Sequence, residues 1–199
     1  RGKATCHIKF GDDLTVLCSH YFIAESSFLV NNGHASAEQN KDIFSEVVST
    51  AKNLIMGQEK DLHDTKNKQN LSEILEYYRL KSGSLYASAA AIGGILGDAF
   101  PDELMHLKKF GINLGVAYQI GDDLYDKIGD KKDLGKPTSQ DLGKKTPIDL
   151  IGIEATCSLR KKFEEKAKYN LRKISRDLSP LEELISLISG TFGIKNGIK

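Results

Sequence analysis

Apolar residues along this chain recur at spacings of three and four, which is the repeat of an α-helix. No stretch alternates apolar and polar residues over a strand's length between turn residues. The pattern therefore predicts an all-α fold, and long helices with short loops predict a single helical bundle. The predicted helices run from Asp12 or Asp13 to about Val30, Ser36 to about Leu62, Ser72 to Gly93, Gly94 or Gly97, Pro101 to Asp126 or beyond, Pro147 to about Cys157, about Leu159 to about Leu178, and from Pro180 onward.

Local signals support several of these boundaries. Ser36 and Gln39 have the spacing of a capping box. Pro101 suits the first turn of a helix because its missing N–H would be unpaired there. The small residues from Ala87 to Ala91 indicate that the third helix approaches a neighbour closely. The predicted inward faces are Ile43, Phe44, Val47, Val48, Ala51, Leu54 and Ile55 on the second helix, and Leu104, Leu107, Phe110, Leu114 and Ala117 on the fourth.

Composition narrows the class of protein. The chain has 199 residues, of which 40% are hydrophobic, and 28 basic against 27 acidic side chains give a net charge of +1. This balance argues against a dedicated nucleic-acid binder. No apolar run reaches the roughly 18 residues of a membrane span, and no secretion signal precedes the first helix, so we expect a cytoplasmic protein. Its 3 cysteines are widely spaced, which argues against a disulfide framework and a structural zinc site.

Chemistry is concentrated near the end of the fourth predicted helix. Gln119, Asp122, Asp123 and Asp126 fall within an arc of about 100° on one helix face. Carboxylates crowded in this way repel one another, and a divalent cation would compensate. Hard oxygen ligands suit Mg²⁺, which is usually shared between one or two carboxylates and a substrate phosphate. The alternative is a solvated acidic face paired with nearby lysines.

The segment that follows, residues 129–146, is rich in Gly, Lys, Asp and Pro and is predicted to be a functional loop. Lysines on glycine-bearing loops beside metal-binding carboxylates suit a diphosphate, since its oxygens can then be neutralised from two sides. A solvated loop would also alternate charges, so this balance alone does not decide between the two interpretations.

The block Tyr118–Thr146 closely resembles the second aspartate-rich motif and the lysine loop of the trans-type polyprenyl synthases, a family that includes farnesyl and geranylgeranyl diphosphate synthases. The resemblance extends over almost the whole chain. Further matching elements are Gly57-Gln58 with Asp61 (GQxxD), Lys81-Ser82 (the family's Lys-Thr pair, with Ser for Thr), and Arg1-Gly2 with His7 (the end of RRGxPxxH, with Ala4 in place of the proline).

The resemblance implies an isoprenoid-synthase bundle that condenses isopentenyl diphosphate with an allylic diphosphate, head to tail, after magnesium-assisted ionisation. Short products such as farnesyl or geranylgeranyl diphosphate and a homodimer are also implied. The resemblance implies that Asp122, Asp123 and Asp126 hold Mg²⁺, with Asp122 and Asp126 as the main ligands. It implies that Lys81, Lys136 and Lys145 (or Lys144) contact the allylic diphosphate, and that Ser82 and Gln119 line the allylic site and stabilise the developing carbocation. Arg1 is implied to bind the diphosphate of isopentenyl diphosphate.

The sequence departs from the family pattern at its start. The first aspartate-rich motif does not occur, and Asp12-Asp13 does not replace it, because the third carboxylate would fall at Val16. We therefore expect residues 1–199 to be one polyprenyl synthase domain that lacks its N-terminal third and is inactive by itself.

Other classes stay open at this point. The chain could be a non-catalytic regulatory subunit of a heteromeric prenyl synthase or a class I terpene cyclase. It could also be a helical interaction protein that uses the basic stretch Arg160–Arg176, where eight Lys or Arg stand against two Glu. The retained aspartates and lysines favour the synthase.

Overall fold

The computed structural model describes residues 3–31, 35–63, 70–128 and 145–191. Within these ranges all regular structure is helical, which confirms the all-α prediction. The α-helices are α1 (Cys6–Phe10), α2 (Asp12–Asn31), α3 (Ala37–His63), α4 (Leu71–Tyr78), α5 (Ser84–Leu96), α6 (Pro101–Ile128), α7 (Pro147–Leu171) and α8 (Ser179–Thr191), and a π-turn (Arg79–Gly83) joins α4 to α5. No helix in these described ranges is long and apolar enough to cross a membrane.

The longest helix, α6, is the centre of the bundle and packs mainly against α5 and α7. Its inward residues contribute to both clusters of buried apolar side chains. The first cluster contains Ile74, Tyr77, Tyr78, Val116, Ala117, Ile120, Leu124, Ile148 and Phe163, and the second contains Leu107, Phe110, Leu114, Ala167, Leu171, Ile174, Ile185 and Ile188. One helix therefore connects both halves of the core.

Two predicted helix starts are confirmed in detail. The Ser36 N–H donates to Gln39 Oε1 at 2.9 Å, and the Gln39 N–H donates to Ser36 Oγ at 3.2 Å, so the capping box forms. Pro101 is the first residue of α6, which continues to Ile128. In both places the signal is local, and neighbouring elements do not override it.

Three predicted boundaries are wrong. Asn70 caps α4, not Ser72, because the Asn70 side chain accepts from the Glu73 N–H at 3.0 Å. The helix from Pro147 breaks at Gly152, where φ is +79°, instead of near Cys157. The charged helix ends at Leu171 and not near Leu178. A positive φ is readily adopted by glycine alone, which places the kink at Gly152.

The apolar positions of α1 and α2 are exposed, and no described side chain of these two helices is buried. On α3 the predicted stripe is half covered: Ile43 is buried, whereas Phe44, Val48 and Ile55 are exposed by 40%, 43% and 69%. Periodicity predicts that a segment is helical and which face is apolar. It does not identify what covers that face.

The corner between α5 and α6 is closed by one arginine from beyond α7. Arg176 Nε and Nη2 lie 2.9 Å from the two carboxylate oxygens of Glu103. The Arg176 guanidinium also donates to the carbonyl oxygens of Gly97 and Asp98, at 2.8 and 2.9 Å. These four residues, named here the Arg176 corner, satisfy backbone acceptors that the end of a helix leaves open.

Candidate active site

The predicted site residues lie where the C-terminal half of α6 meets the π-turn and the end of α3. Along this contact α4, the π-turn and α5 run antiparallel to α6, since Gly111 faces Ala87 and Gly115 faces Gly83. The close approach predicted for the segment Ala87–Ala91 is thus observed at Ala87, its first residue. A Cβ atom on Gly111 would lie 2.5 Å from the Ala87 backbone, which leaves no room for a side chain.

The π-turn is held between two glycines from different helices. A Cβ atom at Gly57 of α3 would lie 2.7 Å from the Lys81 nitrogen, and one at Gly115 of α6 would lie 2.7 Å from Gly83 Cα. Both neighbours are backbone atoms, so neither contact could be relieved by moving a side chain. Single π-turns within α-helices are frequent at functional sites, and this one carries Lys81 and Ser82.

Lys81 points from the π-turn toward α3. Its Nζ lies 2.6 Å from Asp61 Oδ2, and the Lys81 side chain is 32% exposed whereas that of Asp61 is 2% exposed. The ammonium group also lies 5.9 Å from the centre of the Tyr77 ring. The buried carboxylate holds the cation at the rim of the site, with part of its side chain accessible to a ligand.

Ser82, the next residue, points toward α6. Its Oγ donates to Gln119 Oε1 at 2.8 Å. This bond is part of the same antiparallel register that pairs Gly83 with Gly115. The structure therefore brings together Ser82 and Gln119, two residues with one implied role.

Asp122, Asp123 and Asp126 are half-buried on the last turns of α6. The hydroxyl of Tyr78, at the end of α4, donates to Asp123 Oδ2. Asp122 and Asp126 are separated by one helical turn and so share a face of α6. Asp123 thus has a hydroxyl donor from a neighbouring helix.

The three carboxylates of α6 offer hard oxygen donors of the kind that magnesium prefers. Within the described residues, no group of three His, Cys, Asp or Glu side chains is placed to enclose a metal ion. Magnesium does not need such a cage, because it keeps several waters and usually takes one or two carboxylates together with substrate phosphates. Asp122 and Asp126 fit that requirement.

The start of α7 adjoins the predicted lysine loop, and Lys145 is exposed just before it. The Thr146 N–H donates to Asp149 Oδ2 at 2.8 Å, and Lys127 Nζ lies 3.4 Å from Asp149 Oδ1. Partial burial tends to raise the pKa of Asp149, but the hydrogen bonds from Thr146 and the charge of Lys127 outweigh it and hold the pKa low. The carboxylate remains ionised and links the end of α6 to α7.

Arg1, Lys136 and Lys144, with the rest of the loop from residue 129, lie outside the described residues. Their implied contacts stay predictions. The roles of Lys81, Ser82, Gln119, Lys145 and the three aspartates also stay predictions, although the structure gives each of these a position.

Sequence reasoning missed two partners in this site. Asp61 belongs to the GQxxD element, yet nothing in that element indicates that its carboxylate meets Lys81, twenty positions away. Tyr78 carried no signal, because a tyrosine on an apolar helix face is usually part of the core, and this one is only 1% exposed. Spacing along one helix cannot reveal a hydroxyl supplied by another.

Comparison with known proteins identifies the family of this chain. Residues 1–187 match the sequence model of the family described as polyprenyl synthetase. The chain therefore belongs to the polyprenyl synthetase family. This confirms the resemblance drawn from the motifs.

Named relatives and solved structures resemble the chain over nearly its full length. It is 29% identical over 191 residues to geranylgeranyl diphosphate synthase of Saccharolobus solfataricus, covering 93% of this chain and 57% of that protein. It is 32% identical over 200 residues to a chloroplastic geranylgeranyl pyrophosphate synthase of Arabidopsis thaliana, covering 95% and 56%. A solved geranylgeranyl pyrophosphate synthetase from Pyrococcus horikoshii superposes with a TM-score of 0.86 at 27% identity, covering 96% of this chain and 71% of that one.

The chain spans little more than half the length of the curated relatives named above. The family and the fold are established over this part.

Proposed function

We propose that this chain forms the part of a trans-prenyltransferase that binds and ionises an allylic diphosphate for condensation with isopentenyl diphosphate. One observation carries the proposal. Side chains from three helical elements converge on one region: Lys81 and Ser82 from the π-turn, Gln119 and the aspartates from α6, and Asp61 from α3. In a polyprenyl synthetase, these residue types suit a diphosphate and the cation formed when it leaves.

Magnesium is the cofactor we propose for this site. Asp122 and Asp126 would hold it, and Asp123 lies beside them, where it accepts a hydrogen bond from the Tyr78 hydroxyl. A bound magnesium ion would supply positive charge to the oxygens of the leaving diphosphate. A geranyltransferase of Helicobacter pylori with the same fold has been solved with magnesium and isoprenyl diphosphate.

Lys81 would contact the diphosphate from the other side. Its ammonium group, fixed by Asp61 at 2.6 Å, does not have to be ordered when substrate arrives. A preorganised cation stabilises charge that develops on a leaving group more effectively than a mobile one. Asp61 thereby serves as a positioning residue.

Ser82 and Gln119 would line the allylic site. Each is oriented by the 2.8 Å hydrogen bond to the other, so their dipoles are fixed before reaction. Fixed dipoles can stabilise a developing carbocation at no further cost in ordering. Ser82 and Gln119 would thus form an ordered polar surface beside the carboxylates of α6.

Further parts of the proposal rest on family membership. Arg1 would bind the diphosphate of isopentenyl diphosphate, and Lys136 and Lys145 the allylic diphosphate. A short product such as farnesyl or geranylgeranyl diphosphate is supported by the names of the relatives, among them farnesyl diphosphate synthase of Escherichia coli, 29% identical over 199 residues. A homodimer and a cytoplasmic location stay predictions. A single domain is supported by the contribution of α6 to both core clusters.

The test is incorporation of labelled isopentenyl diphosphate into a longer allylic diphosphate, with and without magnesium. It is run on this chain and on the product of its full coding region. We expect Asp122→Asn in the active protein to lower turnover by about 100-fold or more, because it weakens the binding of the magnesium ion that would stabilise the leaving diphosphate. Asp102→Asn, on the first turn of the same helix, is the matched control and should change little.

The results separate the parts of the proposal. An active full-length product with an inactive chain would support the expectation that this chain alone is incomplete. Equal activity of the two Asp variants would contradict the metal assignment. A full-length product that consumes neither substrate would contradict the prenyltransferase proposal as a whole.

A further inference from the structure

The charged stretch at the end of α7 separates into an inner and an outer set of cations. Arg160 is buried, where it pairs with Glu164 at 3.0 Å and donates to the Ser189 carbonyl oxygen at 2.9 Å. Arg176 belongs to the corner with Glu103. Arg160 is thus inside the bundle, and Arg176, although its side chain is 40% exposed, is already engaged by Glu103 and two backbone carbonyl oxygens.

Of the six remaining basic residues, five are exposed and Lys168 is half-buried, and Lys166 Nζ lies 5.0 Å from the centre of the Phe163 ring. The buried side of the helix is formed by residues such as Phe163, Ala167 and Asn170. At about 100° per residue, the basic side chains fall on the opposite side and continue through the turn after Leu171. We name this set the basic face: Lys161, Lys162, Lys166, Lys168, Arg172 and Lys173.

One acidic side chain lies within the basic face. Glu165 accepts from Lys168 at 2.8 Å, and this bond, with the charge of Arg172, lowers its pKa, so it stays ionised. Six cations and one carboxylate leave a net charge of +5 on a strip about 18 Å long. The whole chain carries only +1, so the charge is concentrated on this face.

An aromatic residue lies in the middle of these cations. Tyr169 is 57% exposed, and Lys173 Nζ lies 5.0 Å from the centre of its ring. Tyrosines with an apolar ring and a polar tip are enriched where a protein meets the headgroup region of a membrane. Clusters of four to eight basic side chains on a helix are typical of binding to anionic lipid.

We propose that the basic face is a docking surface for an anionic phospholipid membrane. Its cations lie on both flanks of the exposed Tyr169, with Lys161, Lys168 and Arg172 on one flank and Lys162, Lys166 and Lys173 on the other, an arrangement that suits a broad anionic surface. A nucleic-acid duplex is less suitable, since its backbone offers phosphates but no interfacial layer for the exposed Tyr169 ring. The proposal is independent of the prenyltransferase assignment, and either can fail without the other.

The test is co-sedimentation of this chain with two kinds of vesicle: phosphatidylcholine alone, and phosphatidylcholine with about 30% phosphatidylglycerol. We expect binding to the anionic vesicles only, and its loss between about 0.1 and 0.5 M NaCl as the charges are screened. Each basic side chain near such a surface contributes about fivefold to binding. The variant K162Q/K166Q/K173Q should therefore bind on the order of 100-fold more weakly.

The matched control removes three exposed lysines elsewhere, in K41Q/K52Q/K109Q. It makes the same change in net charge, and it should retain most of the binding. Urea unfolding of both variants checks that each still folds. Equal losses in the two variants, equal binding to neutral vesicles, or tighter binding to a duplex RNA than to anionic vesicles would each overturn the proposal.

Discussion

The two ends of α6 use polar side chains in different ways. At its start, the Arg176 corner directs a guanidinium onto a carboxylate and two backbone carbonyl oxygens. Near its end, Tyr78, Ser82 and Lys81 contact side chains of other helices. The corner satisfies the carbonyl oxygens at the end of a helix. The site end instead orients side chains toward one another in pairs, beside the place where a ligand would bind.

The two ends of α6 also differ in how closely the neighbouring backbones approach each other. At the site end, Gly57 and Gly115 lie so close to the backbone of the π-turn that neither position has room for a Cβ atom. Near the corner, by contrast, nothing lies within 4 Å of a Cβ added at Gly93. A substitution that adds a single methyl group can therefore separate the two ends experimentally.

The largest expected effect is that of Gly115→Ala. The new Cβ would meet Gly83 Cα at 2.7 Å and the Ser82 carbonyl carbon at 2.9 Å, so α6 and the π-turn must move apart. Overpacking of this kind costs about 3 kcal/mol in the free energy of unfolding, which urea unfolding measures. Gly93→Ala is the control, and it should stabilise the chain by up to about 1 kcal/mol because alanine favours a helix. A neutral Gly115→Ala would show that the π-turn is not tightly held.

Asp61→Asn tests the cation of the site. The change leaves the Lys81 ammonium beside a neutral amide in a half-buried place, and we expect a loss of about 2 kcal/mol in the free energy of unfolding, less than for a fully buried pair because Lys81 is partly exposed. Glu59→Gln removes an exposed carboxylate from the same helix and should change stability by less than about 0.5 kcal/mol. Equal effects would mean that the Asp61 pair contributes nothing specific.

A smaller effect is expected for the bond between Ser82 and Gln119. A double-mutant cycle with Ser82→Ala and Gln119→Met should give a coupling energy of about 1 kcal/mol in urea unfolding. Ser84→Ala combined with Gln119→Met is the matched cycle, since Ser84 Oγ donates to the Leu80 carbonyl oxygen instead. Strict additivity in the first cycle would contradict the orientation assigned to these two side chains.

The smallest effect belongs to the corner and depends on pH. The Arg176 guanidinium, with a hydrogen bond from the Phe100 N–H, lowers the pKa of Glu103. A carboxyl group whose pKa is lowered on folding adds stability above its unfolded value, and that stability is lost as the pH falls through the folded value. The difference in stability between the wild type and Glu103→Gln should therefore be constant above about pH 5 and should shrink below about pH 4. A difference that grows on acidification would contradict the pairing.

Sequence reasoning succeeded where one segment contains the whole cause. The Ser36–Gln39 box and Pro101 act within a single turn, and the aspartates of α6 share a face through helical periodicity alone. It failed at Ser72 because Asn70, two positions earlier, is also an effective cap. Asn70 and Ser72 are both residue types that cap helices well, so the sequence pattern alone does not show which of them is the cap.

The rest of the site could not be predicted, since it depends on contacts between segments far apart in sequence. Nothing local to Tyr78 indicates that its hydroxyl meets Asp123, forty-five positions away. The π-turn is equally hidden, because its sequence is compatible with an ordinary helix. It forms where glycines of α3 and α6 allow both neighbours to press against it.

The π-turn also has a consequence for changes in chain length. It contains about one residue more than a turn of α-helix, so the segment behaves as a helix that has received a single insertion. Deleting Leu80, the residue of this turn to which no role in the site is assigned, would restore a regular hydrogen-bonded helix and rotate α4 by about 100° relative to α5. Tyr78 would then leave the face that meets Asp123, while α5 kept its contact with α6. This deletion would keep the segment helical, yet it would break the hydrogen bond between Tyr78 and Asp123 without changing either residue.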